Sequence, residues 1–223
     1  ICFTRPMLIN LWECQNITVK HLKLKNAACW VQNYERSENV IIDSIHVESD
    51  TYWNNDGIDI VDCRNVMLTN SFFNSSDDGI CLKSHTGSYL CENVTVRNCT
   101  VRSSASAVKF GTRSSGGFRN VTVKNVKIYD TFRSAIAIES VDGGMLENVT
   151  VDGIEAKNTG NAIFIKLGKR KPKMGNLKNI VIQNVKVEVP FGRPDHAYEV
   201  RGPDLSFFHT TFPASITGLP DHP

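Results

Sequence analysis

One phrase recurs along most of the chain: an asparagine, an aliphatic residue, any residue, then a second aliphatic. It reads Asn16-Ile17-Thr18-Val19, Asn39-Val40-Ile41-Ile42, Asn65-Val66-Met67-Leu68, Asn93-Val94-Thr95-Val96, Asn120-Val121-Thr122-Val123, Asn148-Val149-Thr150-Val151 and Asn179-Ile180-Val181-Ile182, at spacings of 23, 26, 28, 27, 28 and 31 residues. Period-2 alternation rich in β-branched residues predicts a short strand in each copy. A second turn-former follows five residues later in most copies, at Asn70, Asn98, Asn125, Gly153 and Asn184. Between these anchors lies another short strand: Gly57-Ile58-Asp59-Ile60, Gly79-Ile80-Cys81-Leu82, Ala107-Val108-Lys109-Phe110, Ala135-Ile136-Ala137-Ile138 and Ala162-Ile163-Phe164-Ile165. One repeat of this kind cannot bury its own apolar side, but stacked repeats can. The pattern predicts an all-β fold: a right-handed, single-stranded parallel β-helix of about seven coils, stacked at the ~4.8 Å strand spacing. A leucine-rich-repeat horseshoe would need a leucine consensus and helical returns, and the chain shows neither.

The 223 residues are read as one solenoid domain, with regular coils over 1–190 and an irregular loop over 191–223 leading toward a further coil. Solenoids need polar caps against edge pairing, and no amphipathic helix stands at either end, so the expectation is a piece truncated on both sides. A net charge of +2 gives no electrostatic case for nucleic acid or an anionic membrane. No apolar run approaches the ~18 residues that span a bilayer, and Ile1 to Pro6 lack the basic start and apolar run of a secretion signal. The seven cysteines fit no zinc spacing. Cys14, Cys63 and Cys91 each stand two residues before a repeat asparagine. They are read as a ladder of buried free thiols, with a Cys63–Cys91 bridge open in an oxidising compartment. No metal or cofactor is expected, and the protein is expected to be a monomer.

Within the repeats, Asn54-Asn55-Asp56-Gly57-Ile58-Asp59 is echoed 22 positions on by Asp77-Asp78-Gly79-Ile80-Cys81-Leu82-Lys83. Coiling at that period brings Asp56, Asp77 and Asp78 onto one surface. Clustered carboxylates shift one another's pKa, which suits acid–base chemistry better than a structural role. The same register stacks Ile58, Ile80, Val108, Ile136 and Ile163 inward, and Ile60, Leu82, Phe110, Ile138 and Ile165 beside them. Asp59, Cys81, Lys109, Ala137 and Phe164 are then expected to face solvent, followed one step later by Lys83, Gly111, Glu139 and Lys166. An exposed strip of this composition suits an extended polymer such as a polysaccharide. Tyr52 and Trp53 stand just before the first motif, where they could stack on sugar rings or pack on the coil. The Asn-x-Ser/Thr matches at Asn16, Asn74, Asn93, Asn98, Asn120 and Asn148 are mostly the repeat phrase itself and are read as structural.

At these residues the chain resembles glycoside hydrolase family 28, the polygalacturonase-like family with the pectin-lyase-like solenoid. That family's motifs are NTDG, a DD pair followed shortly by lysine, GHG and RIK. Asn54-Asn55-Asp56-Gly57 matches the first but for one residue, and Asp77-Asp78 with Leu82-Lys83-Ser84 matches the second. Arg5-Pro6 and Ala27-Ala28-Cys29-Trp30 also resemble the family's approach to its site. The resemblance, over about residues 5 to 190, implies hydrolysis of glycosidic bonds with inversion. It makes Asp77 the general acid, and Asp56 and Asp78 the groups that activate water. Inverting pairs stand ~6.5–9.5 Å apart, whereas neighbouring coils are nearer the ~5 Å of retaining enzymes, and the resemblance decides for inversion. Two departures alter the substrate grip. GHG becomes Ala105-Ser106-Ala107, and RIK becomes Ala137-Ile138-Glu139, which reverses a charge.

Candidate substrate contacts are therefore Asn54, Lys83, His85, Ser106, Lys109 and Glu139, with Arg113 and Lys166 as compensating cations. The expected activity is that of a pectin-related variant on a polysaccharide or oligosaccharide other than plain polygalacturonan, such as a rhamnogalacturonan-type or exo-acting hydrolase, or one acting on another plant or algal glycan. The resemblance also implies a secreted or periplasmic protein. Two other readings stay open. A calcium-assisted lyase would need an arginine base close to the Asp pair, and none follows it; a non-catalytic glycan-binding β-helix would keep the groove without the chemistry.

Overall fold

The computed structural model describes residues 5–190 and 213–220. Sixteen strands, and no helix among the described residues, wind into stacked coils. The pairings from coil to coil are parallel, and the solenoid is right-handed with about seven turns. One row of strands runs through Ile9–Trp12, Gln32–Glu35, Ile58–Val61, Ile80–Ser84 and Val108–Ser114, then through residues 136–140 and 163–167 of two longer strands. The expected stacks form in register: Ile58, Ile80, Val108, Ile136 and Ile163, with Ile60, Leu82, Phe110, Ile138 and Ile165 beside them. Ile58, Ile80, Ile136, Ile60, Leu82 and Phe110 are fully buried. At about 1.5–3 kcal/mol for each side chain removed from water, these stacks are a main source of stability.

The repeat asparagines have a backbone explanation. Every one from Asn16 to Asn179 turns the corner with φ of 55° to 57°, in the left-handed region. That region costs most L-residues about 1–2 kcal/mol, whereas asparagine tolerates it. Each side-chain amide then donates to the equivalent carbonyl one coil earlier, at 3.0–3.1 Å, from Asn39→Asn16 through Asn179→Asn148. The second set of turn-formers also has positive φ, and Asn98 and Asn125 continue a parallel ladder from Asn70.

Three expectations meet a different structure. Residues 214–217 are not irregular: Ala214–Thr217 pairs with Ile163 to Lys166 and extends the first row; residues 191–212 lie outside the described ones. Gly111 does not align with Lys83 in the ladder, because the register shifts after Leu82 and sets Ser84 opposite Ser114. The cysteine ladder forms only in part: Cys63 and Cys91 are buried free thiols as expected, but Cys14 is free and only half-buried; Cys81 and Cys99 are also free, while Cys29 is disulfide-bonded. Cys63 and Cys91 are buried thiols whose Sγ atoms donate to the carbonyls of Tyr34 and Ile60.

Candidate active site

The repeated Asp-Gly corners start two adjacent strands, and their glycines answer a steric demand. A Cβ on Gly57 would come within 2.6 Å of the Gly79 carbonyl oxygen, and one on Gly79 within 2.4 Å of Val101 Cγ1. The coils thus touch backbone to backbone beside the acids. Gly57 N–H donates to the Asp78 carbonyl at 2.9 Å and Gly79 N–H to that of Ser106 at 2.9 Å, which fixes Asp56, Asp78 and Ser106 one above another.

This stacking brings together Asp56, Asp77, Asp78, Lys83 and Lys109, all but a few percent buried. Lys83 Nζ lies 2.7 Å from Asp56 Oδ2 and also bonds Asp59. The Trp30 ring covers it, with the ammonium 4.2 Å from the ring centroid. Lys109 Nζ bridges Asp78 Oδ2 at 3.5 Å and Glu139 Oε1 at 3.3 Å. Asp78 Oδ1 accepts the Ser106 N–H at 3.0 Å, and Asp78 N–H donates to Asp77 Oδ1 at 3.0 Å.

The two neighbouring aspartates are pushed in opposite directions. Burial, reinforced by the charges of Asp56 and Asp78, raises Asp77 to about 8 and keeps it protonated at neutral pH. Burial also works against ionised Asp78, but Lys109, Lys83, Arg133 and the Ser106 N–H overcome it and hold this carboxyl below its usual range. Asp56 is raised, chiefly by burial and partly by Asp78, against the pull of Lys83. Asp59 is raised further by burial and by Asp56. Carboxyls whose charge states are forced apart are what paired acid and base work requires.

The other candidates are placed as follows. Asn54 has φ of 58° and its amide donates to Cys29 Sγ at 3.7 Å. His85 is half-buried between Trp30, 6.5 Å away by ring centroids, and Glu35, whose Oε1 is 3.3 Å from Nδ1; burial, with a contribution from Arg113, lowers its pKa although Glu35 pulls the other way. Ser106 is fully buried and its Oγ has no hydrogen-bond partner, so it meets the acids through its backbone. Glu139 faces Lys109 rather than open solvent.

The row expected to face solvent is instead covered: Asp59, Cys81 and Ala137 are fully buried, and Lys109 and Phe164 nearly so. Within this row Asp59 is paired with Lys83 and Lys109 with Asp78 and Glu139, and Trp30 covers Lys83 in turn. Asp59 is therefore a member of the charge cluster that the sequence reading left on the surface. Its row-mates Cys81, Ala137 and Phe164 were the available signal, being apolar where a solvated strip would be polar. Trp30 stands in the segment read as the approach to the site and does cover Lys83, whereas Glu35 and Arg133 were not foreseen there, since they reach the site from other coils. As for metals, Asp56, Asp78 and Cys81 hold donor atoms within 4.8 Å of one another. Both carboxylates are already paired with ammonium groups, and burial keeps the Cys81 thiol protonated, so the donor set suits a neutralised acid pair better than a divalent cation.

Residues 1–196 match the profile of the glycosyl hydrolases family 28. The chain belongs to that family. A solved hyperthermoactive exopolygalacturonase from Thermotoga maritima matches with a TM-score of 0.72 at 28% identity, over 82% of this chain and 44% of that one. A family 28 exopolygalacturonase of Yersinia enterocolitica gives 0.69 at 20% identity, over 84% of this chain and 35% of that one. Exopolygalacturonase B of Aspergillus niger is 24% identical over 202 residues, which is 82% of this chain and 46% of its own length. The family 28 chain described here thus spans less than half the length of these relatives.

Proposed function

We propose that the protein is a glycoside hydrolase that cleaves a pectin-related polysaccharide or oligosaccharide by acid–base hydrolysis with inversion. Asp77 is the general acid: a carboxyl held up to about 8 keeps its proton at neutral pH and can give it to the leaving oxygen. Asp78, held ionised, and Asp56, with a carboxylate oxygen within 4.8 Å of one on Asp78, activate the water. The observation that carries this reading is the opposite perturbation of two consecutive aspartates beside a third. Lys109 helps hold Asp78 ionised through a direct ion pair, and Lys83 pairs with Asp56. No cofactor enters the reaction.

Where family 28 has its GHG and RIK motifs, this chain has Ser106 and Glu139, so the substrate subsites are altered and plain polygalacturonan is not the preferred substrate. Rhamnogalacturonan-type and other glycans remain in the tested panel. The family and the disulfide at Cys29 together support a secreted or periplasmic location, because disulfides persist in oxidising compartments. A single-domain monomer without nucleic-acid or membrane partners completes the proposal.

The test is reducing-sugar release from a panel of pectic and algal polysaccharides, with the product anomer read by NMR and Asp77→Asn as control. Turnover that survives Asp77→Asn, or activity confined to unbranched polygalacturonan, contradicts the proposal. One observation favours a second reading, a non-catalytic glycan-binding module: Lys83, Lys109 and Glu139 are all engaged by internal ion pairs. Glycan binding without turnover, indifferent to Asp77→Asn, would establish that reading instead.

A further inference from the structure

Four aromatic side chains stand well exposed among the described residues, and two of them are consecutive: Tyr52 is 49% exposed and Trp53 44%. They close the loop that leads into Asn54, Asn55 and Asp56, so they flank the acid cluster itself. Rings of this size carry a large apolar area and are ordinarily packed away. Nor is the loop loose. Thr51 Oγ1 donates to Asn26 Oδ1 at 2.8 Å, Ser76 Oγ donates to the Tyr52 carbonyl, and Arg5 Nη1 donates to the Trp53 carbonyl at 3.1 Å. The amides of Asn54 and Asn55 donate to Cys29 Sγ and to the Ala27 carbonyl. The Arg5 guanidinium also lies over the Trp53 ring, 4.5 Å from its centroid. A cation seated on one face fixes the indole and leaves its exposed area on the other face and the edge.

The direction in which this indole lies follows from the register. Leu8 N–H donates to the Val31 carbonyl and Val31 N–H to the Asp56 carbonyl, so Arg5 reaches Trp53 from two coils earlier, on the N-terminal side of the acids. A second indole stands on that side. With Asn33 paired to Asp59, Trp30 occupies on the preceding coil the position that Asp56 holds on its own, one coil spacing of about 4.8 Å away along the backbone. Trp30 is half-buried, with its ring over Lys83 Nζ. The surface therefore changes character at the acids. Toward the C-terminus it carries the Lys109–Glu139 pair, and toward the first coils it carries Trp30 with Trp53 at its flank. A fixed indole with an open face complements the C–H face of a pyranose ring: both are apolar, and the C–H groups are the positive partner to the negative face of the π system.

We propose that Trp53, held in place by Arg5, is a stacking platform for one sugar ring of the substrate on the N-terminal side of the acid cluster. This rests on the glycan-hydrolase reading and deepens it: the subsite reads the C–H face of a ring and not its carboxylate, so it takes a neutral or esterified unit as well as an acidic one. Arg5 is a positioning residue, since its guanidinium is engaged by the Trp53 ring and carbonyl.

The test measures binding in an Asp77→Asn background, where no turnover interferes, by calorimetry and by tryptophan emission. The probes are an α-1,4-linked galacturonate hexamer, its methyl ester, and an alternating rhamnose–galacturonate hexamer. Trp53→Ala and Trp53→Phe are compared with the parent, with thermal melts to show that the fold is kept. Trp53→Ala is expected to weaken the tightest-binding probe about three- to tenfold, the worth of one aromatic stacking contact. The galacturonate hexamer and its methyl ester should lose affinity by the same factor, and Trp53→Phe should recover most of the loss. The emission change of the parent on binding, less that of Trp53→Phe, reports Trp53 itself and should be nonzero. Undiminished affinity in Trp53→Ala, a loss confined to the acidic hexamer, or a zero emission difference overturns the platform alone. If the parent binds none of the three probes, the glycan-hydrolase reading falls, and the platform with it.

Discussion

Removing Lys83 distinguishes a lysine that grips substrate from one that holds the acid cluster together. Its ammonium touches both Asp56 and Asp59, and the lysine side chain is 10% exposed, against 5% and 0% for its partners. Lys83→Met leaves two buried carboxyls without their cation. Breaking a buried pair by deleting one partner costs about 3–5 kcal/mol. Part of that cost is avoidable by protonation, since burial already raises both Asp56 and Asp59 in the presence of the lysine.

The sign follows from linkage. A carboxyl whose folded pKa lies above its unfolded value of about 3.9 takes up protons on folding, so stability falls as pH rises through the interval between the two values. Lys83→Met should therefore lose most at pH 8 and least near pH 5. Lys83→Met/Asp59→Asn should regain about 1–3 kcal/mol at pH 8, because one uncompensated charge is gone. Urea denaturation of the three proteins at both pH values measures this. A loss under about 1 kcal/mol for the single variant at pH 8, of the size seen for surface ion pairs, refutes the structural role. A rise in KM with unchanged stability would return Lys83 to substrate contact.

Other consequences are direct. Asp77→Asn should reduce kcat by about 10²–10⁴-fold, the usual worth of a general acid, while a calorimetric Kd for the glycan stays within a few-fold. The rate on the best substrate of the panel should fall as pH rises through about 8, where Asp77 loses its proton; a profile rising through that value would remove Asp77 from the acid's role. Gly79→Ala puts a Cβ 2.4 Å from Val101 Cγ1 and 2.8 Å from the Ala107 carbonyl oxygen. Overpacking of that kind costs about 1–3 kcal/mol, read as a lowered Tm. Asn93→Ala, at φ of 55° and bonded to Asn65 and Asn120, should cost about 1–2 kcal/mol or more. Asn93→Gly should cost less, since only the backbone part is restored; equal Tm values for the two variants would mean that the left-handed corner is not the reason for the asparagine.

The sequence by itself determined the coil. Strand alternation, repeat spacing and the asparagine corners are local properties, and each copy reports the same geometry, so the stacked isoleucine rows of residues 58 to 163 and the clustering of Asp56 with Asp78 followed from aligning the copies. What it could not supply was which outward side chains are covered. Alternation tells inside the bore from outside it, but an outward residue can still be buried by groups from other coils, as Asp59 is under Lys83, which Trp30 covers. The fate of Lys83, Lys109 and Glu139 is of the same kind: composition shows a charged strip, whereas internal ion pairing depends on distances across coils. The shift after Leu82, the strand at 214–217 and the fold-back of Arg170 onto Asp142 are also long-range facts, set by contacts between residues 28 to 58 positions apart or more. Local pattern fixes where the acids stand; only the tertiary packing decides which of them keeps its proton.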